Sequence, residues 1–103
     1  DGLQRRDFTH VSDIVQANIN AATITDFDDC FGEIYNVGTG INWNMFDLIR
    51  MIGGEDANFE HIPPRLAEVR ISKANINKIR TFLDWNPTVS LPDWISSLKA
   101  VKL

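Results

Sequence analysis

The chain has 103 residues, of which 44% are hydrophobic and 23% charged, and its formal net charge is −4. This length and composition are those of one globular domain and exclude a disordered chain. The acidic balance argues against nucleic acid as a partner, because phosphate backbones require a basic face, and no apolar run is long enough to predict a membrane span.

The first predicted elements are a short strand and a helix. A strand is predicted over 6–10, where apolar and polar residues alternate loosely. Ser12 is the predicted N-cap of a helix over 13–25, because apolar residues follow it at helical spacing and Asp13 suits the first turn. The acidic stretch 26–32 is predicted to be a solvated loop.

The central unit of the chain is predicted to run from strand through a glycine turn into a helix. The strand covers 33–37, and Gly38-Thr39-Gly40 forms the turn. Asn44 is the predicted N-cap of a helix over 45–52, and Asp47 suits its N-terminus. A ligand can bind beside such a turn, but the spacing alone favours an ordinary connection without a ligand.

The remainder of the chain predicts one more strand and two more helices. A short strand over 59–62 ends at Pro63-Pro64. Ser72 is the predicted N-cap of a helix over 73–83, and a last helix covers 91–101. The predicted fold class is therefore α/β, with short strands and about four helices.

Two arginines are candidates for binding phosphate. Arg6 lies at the first predicted strand, and Arg65 follows the rigid Pro-Pro bend. A guanidinium matches phosphate geometry bidentately, so two of them converging on one loop would suit a diphosphate. The alternative is that each forms an ordinary ion pair, for example Arg6 with Asp7 or Arg65 with Glu68.

The other chemistry-bearing residues favour structural roles. His10 and His61 have no ligand partners at metal-binding spacing, so no metal site is predicted. Cys30 is the only cysteine, which excludes an internal disulfide, suits a reducing, cytoplasmic compartment and favours a packed thiol. Trp85 is predicted in the core or at its edge. Trp43 could stack on a base or pack on the following helix.

Four motifs in order give the chain a family resemblance. Together they resemble the extended short-chain dehydrogenase/reductases, specifically the NAD-dependent nucleotide-sugar epimerases and dehydratases, over about residues 5 to 95. The motifs are a strand–helix start like "RDFxxVxDxxxA", a "YNxGxG" turn, a "PxRxGE" loop and an "SKA…LGWxP" exit, at Arg6–Asp13, Tyr35–Gly40, Pro64–Arg70 and Ser72–Pro87.

The resemblance implies roles for five residues. Arg6 and Arg65 would contact the diphosphate of a nucleotide-sugar, most often a UDP-sugar, and Glu68 would bond its ribose. Phe8 would lie near the nucleotide, and Met45 would pack on the base or ribose. The implied fold is the substrate-binding segment of a Rossmann-type parent.

The chain also departs from the family pattern. Ala67 stands where the family has Gly, so a positive φ there would strain it. The dinucleotide-binding glycine motif and the Tyr-x-x-x-Lys pair are missing, because the only tyrosine is Tyr35 and Thr39 follows it by four. The resemblance therefore implies that 1–103 is the C-terminal nucleotide-sugar-binding portion, without the N-terminal dinucleotide-binding domain.

The expected function is nucleotide-sugar binding within an epimerase or dehydratase. NAD would act in the parent enzyme, with none bound to this chain alone, and the chain alone is expected to be inactive. The alternative is a stand-alone binding or assembly module without the Rossmann half. Because the strand at 34–37 would expose an apolar edge, we expect the isolated chain to associate with itself or with a missing N-terminal half.

Overall fold

The computed structural model describes residues 1–24 and 30–100. Those residues form two very short strands and four helices, so the predicted α/β class is confirmed. In chain order the elements are β1 (Arg5–Arg6), α1 (Val11–Thr23), β2 (Trp43–Asn44), α2 (Met45–Gly53), α3 (Asn77–Leu83) and α4 (Leu91–Ala100). No helix among the described residues has the length and apolar character needed to cross a membrane.

Strand β1 lies between two other segments of the chain. It pairs antiparallel with β2 on one side. On the other side Arg5 forms a parallel bridge with Ile71, in which Arg5 N donates to Arg70 O at 2.9 Å and Ser72 N donates to Arg5 O at 3.0 Å. The strand is short, but its hydrogen bonds join the start, the middle and the last third of the chain.

The strand predictions were largely wrong. The strand predicted over 6–10 is the two-residue β1, and neither 33–37 nor 59–62 lies in a strand. At Ile34 the carbonyl oxygen accepts a hydrogen bond from Lys78 Nζ at 3.0 Å instead of from a strand neighbour. Alternation of apolar residues marks which side chains share a face, but a ladder also requires a partner segment, which the pattern cannot supply.

The start of α1 differs from the prediction by two residues. The N-cap is His10 rather than Ser12: its Nδ1 accepts a hydrogen bond from Ser12 N at 3.0 Å. An imidazole nitrogen therefore fills the role that serine, threonine or asparagine usually has at this position. Thr25, the predicted C-terminal residue, lies outside the described residues.

The cap of α2 is confirmed. Asn44 Oδ1 accepts from Asp47 N at 2.8 Å, and Asp47 Oδ2 accepts from Asn44 N at 3.2 Å, which completes a reciprocal capping box. The helix ends at Gly53, and Gly54 follows with a φ of 79°, a conformation that glycine adopts without strain. The helix predicted over 45–52 therefore ends one residue before the observed helix does.

Helix α3 begins four residues later than predicted. Ser72 is not its cap, because the helix begins at Asn77 with Ile76 at the N-cap position. The residues before it are held along β1 instead: Ser72 N donates to Arg5 O, and Ala74 N donates to the Asp7 carboxylate. Helix α4 begins as predicted at Leu91, and the predicted last residue, Val101, lies outside the described residues.

A small core fixes the helices to each other. Trp85 is 1% exposed and its Nε1 donates to Asp13 O at 2.9 Å, so the predicted core tryptophan is confirmed. Cys30 is buried as predicted, with Sγ 3.3 Å from Phe82 O. The cluster of buried residues consists of Ala17, Cys30, Ile76, Ile79, Leu83 and Trp85.

The molecule is thin for its length. Its radius of gyration is 16.9 Å and its shortest extent is 18 Å. A compact chain of this size has a radius of gyration of about 13 Å. Among the residues 1–24 and 30–100, sixteen large hydrophobic side chains are exposed, Ile34 at 85% among them, so much apolar surface lies outside the core.

Candidate functional site

Two of the predicted site residues meet beside β1. Arg6 Nη2 lies 3.7 Å from Glu68 Oε1, and Arg6 Nη1 donates to Arg5 O at 2.9 Å. Gln4 Nε2 donates to the same Glu68 oxygen at 2.8 Å. The bridge between Arg5 and Ile71 produces this meeting, because it brings the 64–70 loop against β1.

These contacts correct the ion pairs considered from the sequence. Arg6 pairs with Glu68 rather than Asp7, and Arg65 forms no ion pair or hydrogen bond with any residue that the structure describes. The Arg6 side chain is 24% exposed and that of Glu68 is 36% exposed, so both groups face solvent in part. A guanidinium has five N–H donors, and Arg6 therefore keeps donors for an anion.

The loop that carries Arg65 is exposed throughout. Every residue from 61 to 73 is exposed, and Leu66 is 98% exposed. Ala67 has a φ of 62°, so of the two alternatives left open by the sequence, a strained Ala67 or a different loop, the structure shows the strained residue. An L-residue in this region is strained by about 1–2 kcal/mol. Arg65 is thus held out toward solvent on a sharply bent loop.

The glycine turn is an internal connection and not a phosphate site. The Asp7 carboxylate accepts hydrogen bonds from Thr39 N at 2.9 Å, Thr39 Oγ1 at 2.6 Å and Gly40 N at 3.0 Å. A Cβ on Gly38 would lie 2.5 Å from Ala74 Cβ and 2.8 Å from Asp7 Oδ2. The amide donors that a dinucleotide phosphate would need are therefore occupied, and the turn does not fit NAD.

Asp7 is the hub of the region around Arg6. Its Oδ2 also accepts from Ala74 N at 3.1 Å, so one carboxylate joins β1, the glycine turn and the segment before α3. Burial alone would raise the pKa of Asp7, but the hydrogen bonds from Thr39, Ala74 and Gly40 outweigh it and hold the pKa below its ordinary value of 3.8. The carboxylate is therefore charged near neutral pH.

A second buried carboxylate fixes the approach to α4. Asp13, which is 2% exposed, accepts from Thr88 N, Thr88 Oγ1 and Val89 N at 2.8–3.1 Å. Burial would raise the pKa of Asp13, but the hydrogen bonds from Thr88 and Val89, with the nearby His10, lower it. Asp7 and Asp13 both serve as internal anions that satisfy backbone donors of turns.

Phe8 and Met45 lie in different surroundings from the Arg6–Glu68 pair. Phe8 lines a cavity of about 170 Å³ that Trp43 and Thr39 also line, and a second cavity of about 280 Å³ beside His10. Met45 is the first residue of α2, and its backbone N–H donates to Gly2 O at 3.1 Å. Trp43 lies in β2 and lines the smaller cavity.

Gln4 and Asp7 were missed as functional residues from the sequence. A signal for Asp7 was present: it stands in the predicted strand over 6–10, and a carboxylate that is buried needs hydrogen-bond donors or a cation as partners. Gln4 gave no such signal, because its partner Glu68 is distant in sequence.

No metal site is seen in the part of the chain that the structure describes. Among those residues no group of three or more His, Cys, Asp and Glu could hold a metal ion, and His61 contacts the rings of Phe46 and Phe59.

Comparison with known families agrees with this architecture. Residues 1–98 match the family model described as GDP-mannose 4,6 dehydratase. The chain belongs to this family. The predicted kinship with NAD-dependent nucleotide-sugar epimerases and dehydratases is thereby confirmed.

Two curated relatives of this chain are epimerases. The chain is 30% identical over 97 residues to UDP-glucuronate 4-epimerase of Thermodesulfobacterium geofontis, covering 90% of this chain and 28% of that protein. It is 32% identical over 101 residues to UDP-glucose 4-epimerase of Mycolicibacterium smegmatis, covering 93% and 30%. The chain thus spans less than a third of the length of these relatives.

Solved structures of the family have the same fold over this segment. UDP-glucuronic acid 4-epimerase from Bacillus cereus, in complex with UDP-glucuronic acid and NAD, superposes with a TM-score of 0.82 at 31% identity, covering 93% of this chain and 31% of that one. UDP-glucose 4-epimerase from Thermotoga maritima, with UDP-glucose, superposes with a TM-score of 0.76 at 35% identity, covering 92% and 30%.

Proposed function

We propose that this chain forms the nucleotide-sugar-binding portion, residues 1–103, of an NAD-dependent nucleotide-sugar epimerase or dehydratase. The observation that carries the proposal is the meeting of Arg6 and Glu68 beside β1, with Arg65 exposed on the same loop as Glu68. Cations for a diphosphate and a carboxylate for a sugar hydroxyl are then available at one surface. The similarity to epimerases that act on UDP-sugars favours a UDP-sugar as the ligand.

Each proposed contact follows from the chemistry of the side chain. Arg6 and Arg65 bind the diphosphate through their planar N–H donors, and Glu68 accepts hydrogen bonds from the ribose. Phe8 lies near the nucleotide, and Met45 packs on the base or ribose. Binding a part of the substrate that does not react positions the sugar carbon for chemistry elsewhere.

The redox chemistry is proposed to lie outside these 103 residues. When bound in the complete enzyme, NAD supplies the oxidation and reduction of the sugar. This chain has neither the glycine motif for a dinucleotide nor the Tyr-x-x-x-Lys pair. In the turn Gly38-Thr39-Gly40, the amide of Gly40 already donates to the Asp7 carboxylate. We therefore expect that the chain with added NAD does not convert a UDP-sugar. Measured turnover would contradict this expectation.

The thin shape and exposed apolar surface support a covering partner. Ile34 is 85% exposed and Ile62 is 70% exposed, although the free energy of burial favours removing such side chains from water. We propose that this surface packs against the dinucleotide-binding half, or against a second copy of the chain when that half is missing. Since 33–37 is not a strand, the support for this contact is the exposed apolar side chain of Ile34 and not an unpaired strand edge.

UDP binding tests the proposed function directly. Chemical-shift titration of the ¹⁵N-labelled chain with UDP is expected to give saturable changes around Arg6 and the loop of Arg65. Because a hydrogen bond to a charged group contributes about 1.5–3 kcal/mol, Arg65→Ala is expected to raise the Kd about tenfold or more. Arg65 is exposed, so this substitution leaves the fold intact.

Arg80→Ala is the matched control. Arg80 is an exposed arginine on α3 that forms no ion pair or hydrogen bond with Arg6 or Glu68, and its removal is expected to leave the Kd for UDP unchanged. No saturable binding of UDP would overturn the proposed function. Binding that is equally strong in Arg65→Ala and wild-type would overturn the assignment of Arg65 to the diphosphate.

A further inference from the structure

The Glu68 carboxylate is held from one side only. Gln4 Nε2 donates to Oε1 at 2.8 Å, and Arg6 Nη2 lies 3.7 Å from the same oxygen. No described residue donates to Oε2 of Glu68. One oxygen is thus engaged by the protein, and the other is left as an acceptor that faces solvent.

Gln4 directly precedes a residue that is held by several hydrogen bonds. The next residue, Arg5, has its N–H bonded to Arg70 and its carbonyl bonded to Ser72, and its guanidinium donates to Asn42 at 2.8 and 3.0 Å. Glu68, by contrast, lies on the fully exposed loop, next to the strained Ala67. The Gln4 hydrogen bond therefore ties a side chain of the exposed loop to a fixed point.

We propose that Gln4 is a positioning residue that orients Glu68 to discriminate a ribose from a 2′-deoxyribose. The inference rests on the proposed function, because it needs Glu68 at the ribose. A carboxylate only accepts hydrogen bonds, and a ribose offers two hydroxyl donors where a 2′-deoxyribose offers one. A carboxylate with a fixed orientation loses a partner when one hydroxyl is missing, whereas a freely rotating one readjusts.

The test compares three ligands on one set of variants. UDP, 2′-deoxy-UDP and inorganic pyrophosphate are titrated into the wild-type chain, Gln4→Leu and Gln4→Ala, with chemical shifts as the readout. Gln16→Leu is the matched control, since Gln16 is the other glutamine of the chain and its side chain donates to Asn20 Oδ1 on α1, not to Glu68. Both Gln4 substitutions keep the net charge, so the long-range attraction of the anions is unchanged.

The expected result is a selective loss. Wild-type prefers UDP to 2′-deoxy-UDP, and Gln4→Leu and Gln4→Ala raise the Kd for UDP about two- to tenfold, the range for one net hydrogen bond. The Kd values for 2′-deoxy-UDP and pyrophosphate stay at their wild-type values, and Gln16→Leu changes none of the three. A purely structural role of Gln4 would weaken all three ligands together.

Two outcomes would overturn the inference, and they are distinguishable from each other. If wild-type binds UDP and both Gln4 variants retain the wild-type ratio of the UDP and 2′-deoxy-UDP Kd values, or weaken all three ligands alike, this inference alone fails. If wild-type binds no UDP, the proposed function fails and this inference fails with it.

Discussion

Replacing Asp7 by Asn removes the charge at the hub while keeping the shape of the side chain. In the native molecule Oδ1 accepts from Thr39 N and Thr39 Oγ1, and Oδ2 accepts from Gly40 N and Ala74 N. An amide has one acceptor oxygen and one NH₂ donor. With the amide oxygen in the place of Oδ2, it still accepts from Gly40 N, Ala74 N and, at 3.2 Å, Thr39 N. The Thr39 hydroxyl can then accept from the NH₂ group while it donates to Ile41 O at 2.9 Å. The substitution therefore removes the charge of the acceptor rather than the hydrogen bonds.

The magnitude follows from the lost charge. A hydrogen bond to a charged group contributes about 1.5–3 kcal/mol and one to a neutral group about 0.5–1.5, so each of the three N–H donors loses about 1 kcal/mol, and somewhat less because Asp7 is only partly buried. Asp7→Asn is then expected to lower the free energy of unfolding by about 2–3 kcal/mol. For a domain of this length that corresponds to a fall in Tm of roughly 10–20 °C.

Urea unfolding followed by circular dichroism at neutral pH measures this change. The control is Asp56→Asn, since Asp56 is exposed and has no hydrogen bond or ion pair among the described residues. It is expected to leave the free energy of unfolding within about 0.5 kcal/mol of wild-type. An Asp7→Asn variant as stable as the Asp56→Asn control would refute the idea that the carboxylate holds the glycine turn.

Two further predictions concern the strained loop and acid stability. Ala67→Gly is expected to raise the free energy of unfolding by about 0.5–1 kcal/mol, because relief of the strain at positive φ exceeds the cost of the greater entropy of glycine in the unfolded chain. The control Ala21→Gly, at an exposed position of α1, should lower the free energy of unfolding by about 1 kcal/mol. Urea unfolding of both variants tests these opposite signs. Because the pKa of Asp13 is lowered below 3.8 in the folded chain, its contribution to stability is complete above that pH and disappears as the pH falls through the folded value. Below about pH 4 the free energy of unfolding should therefore fall less steeply with decreasing pH in Asp13→Asn than in wild-type, which urea unfolding at a series of pH values measures. Equal slopes for the two proteins would contradict the role of Asp13.

The sequence singled out two residues of the candidate site but not how they meet. Arg6 and Glu68 stand in recognisable motifs, and the departure at Ala67 marked the position of a strained residue without deciding its φ. Their meeting depends on the Arg5–Ile71 bridge, which joins residues far apart in the chain. Residue spacing carries no information about such a pairing, so Gln4 as the partner of Glu68 could not be predicted.

The four helices, the α/β class, the family and the buried Trp85 could be predicted from the sequence alone. These features depend on local patterns, since helical spacing, the Asn44–Asp47 capping box and a glycine that ends a helix act within a few residues. Where the amides of Thr39, Gly40 and Ala74 bond depends on the tertiary structure. The carboxylate of Asp7, which follows β1, accepts from all three, and this closes the glycine turn to phosphate because a backbone donor has only one hydrogen to give.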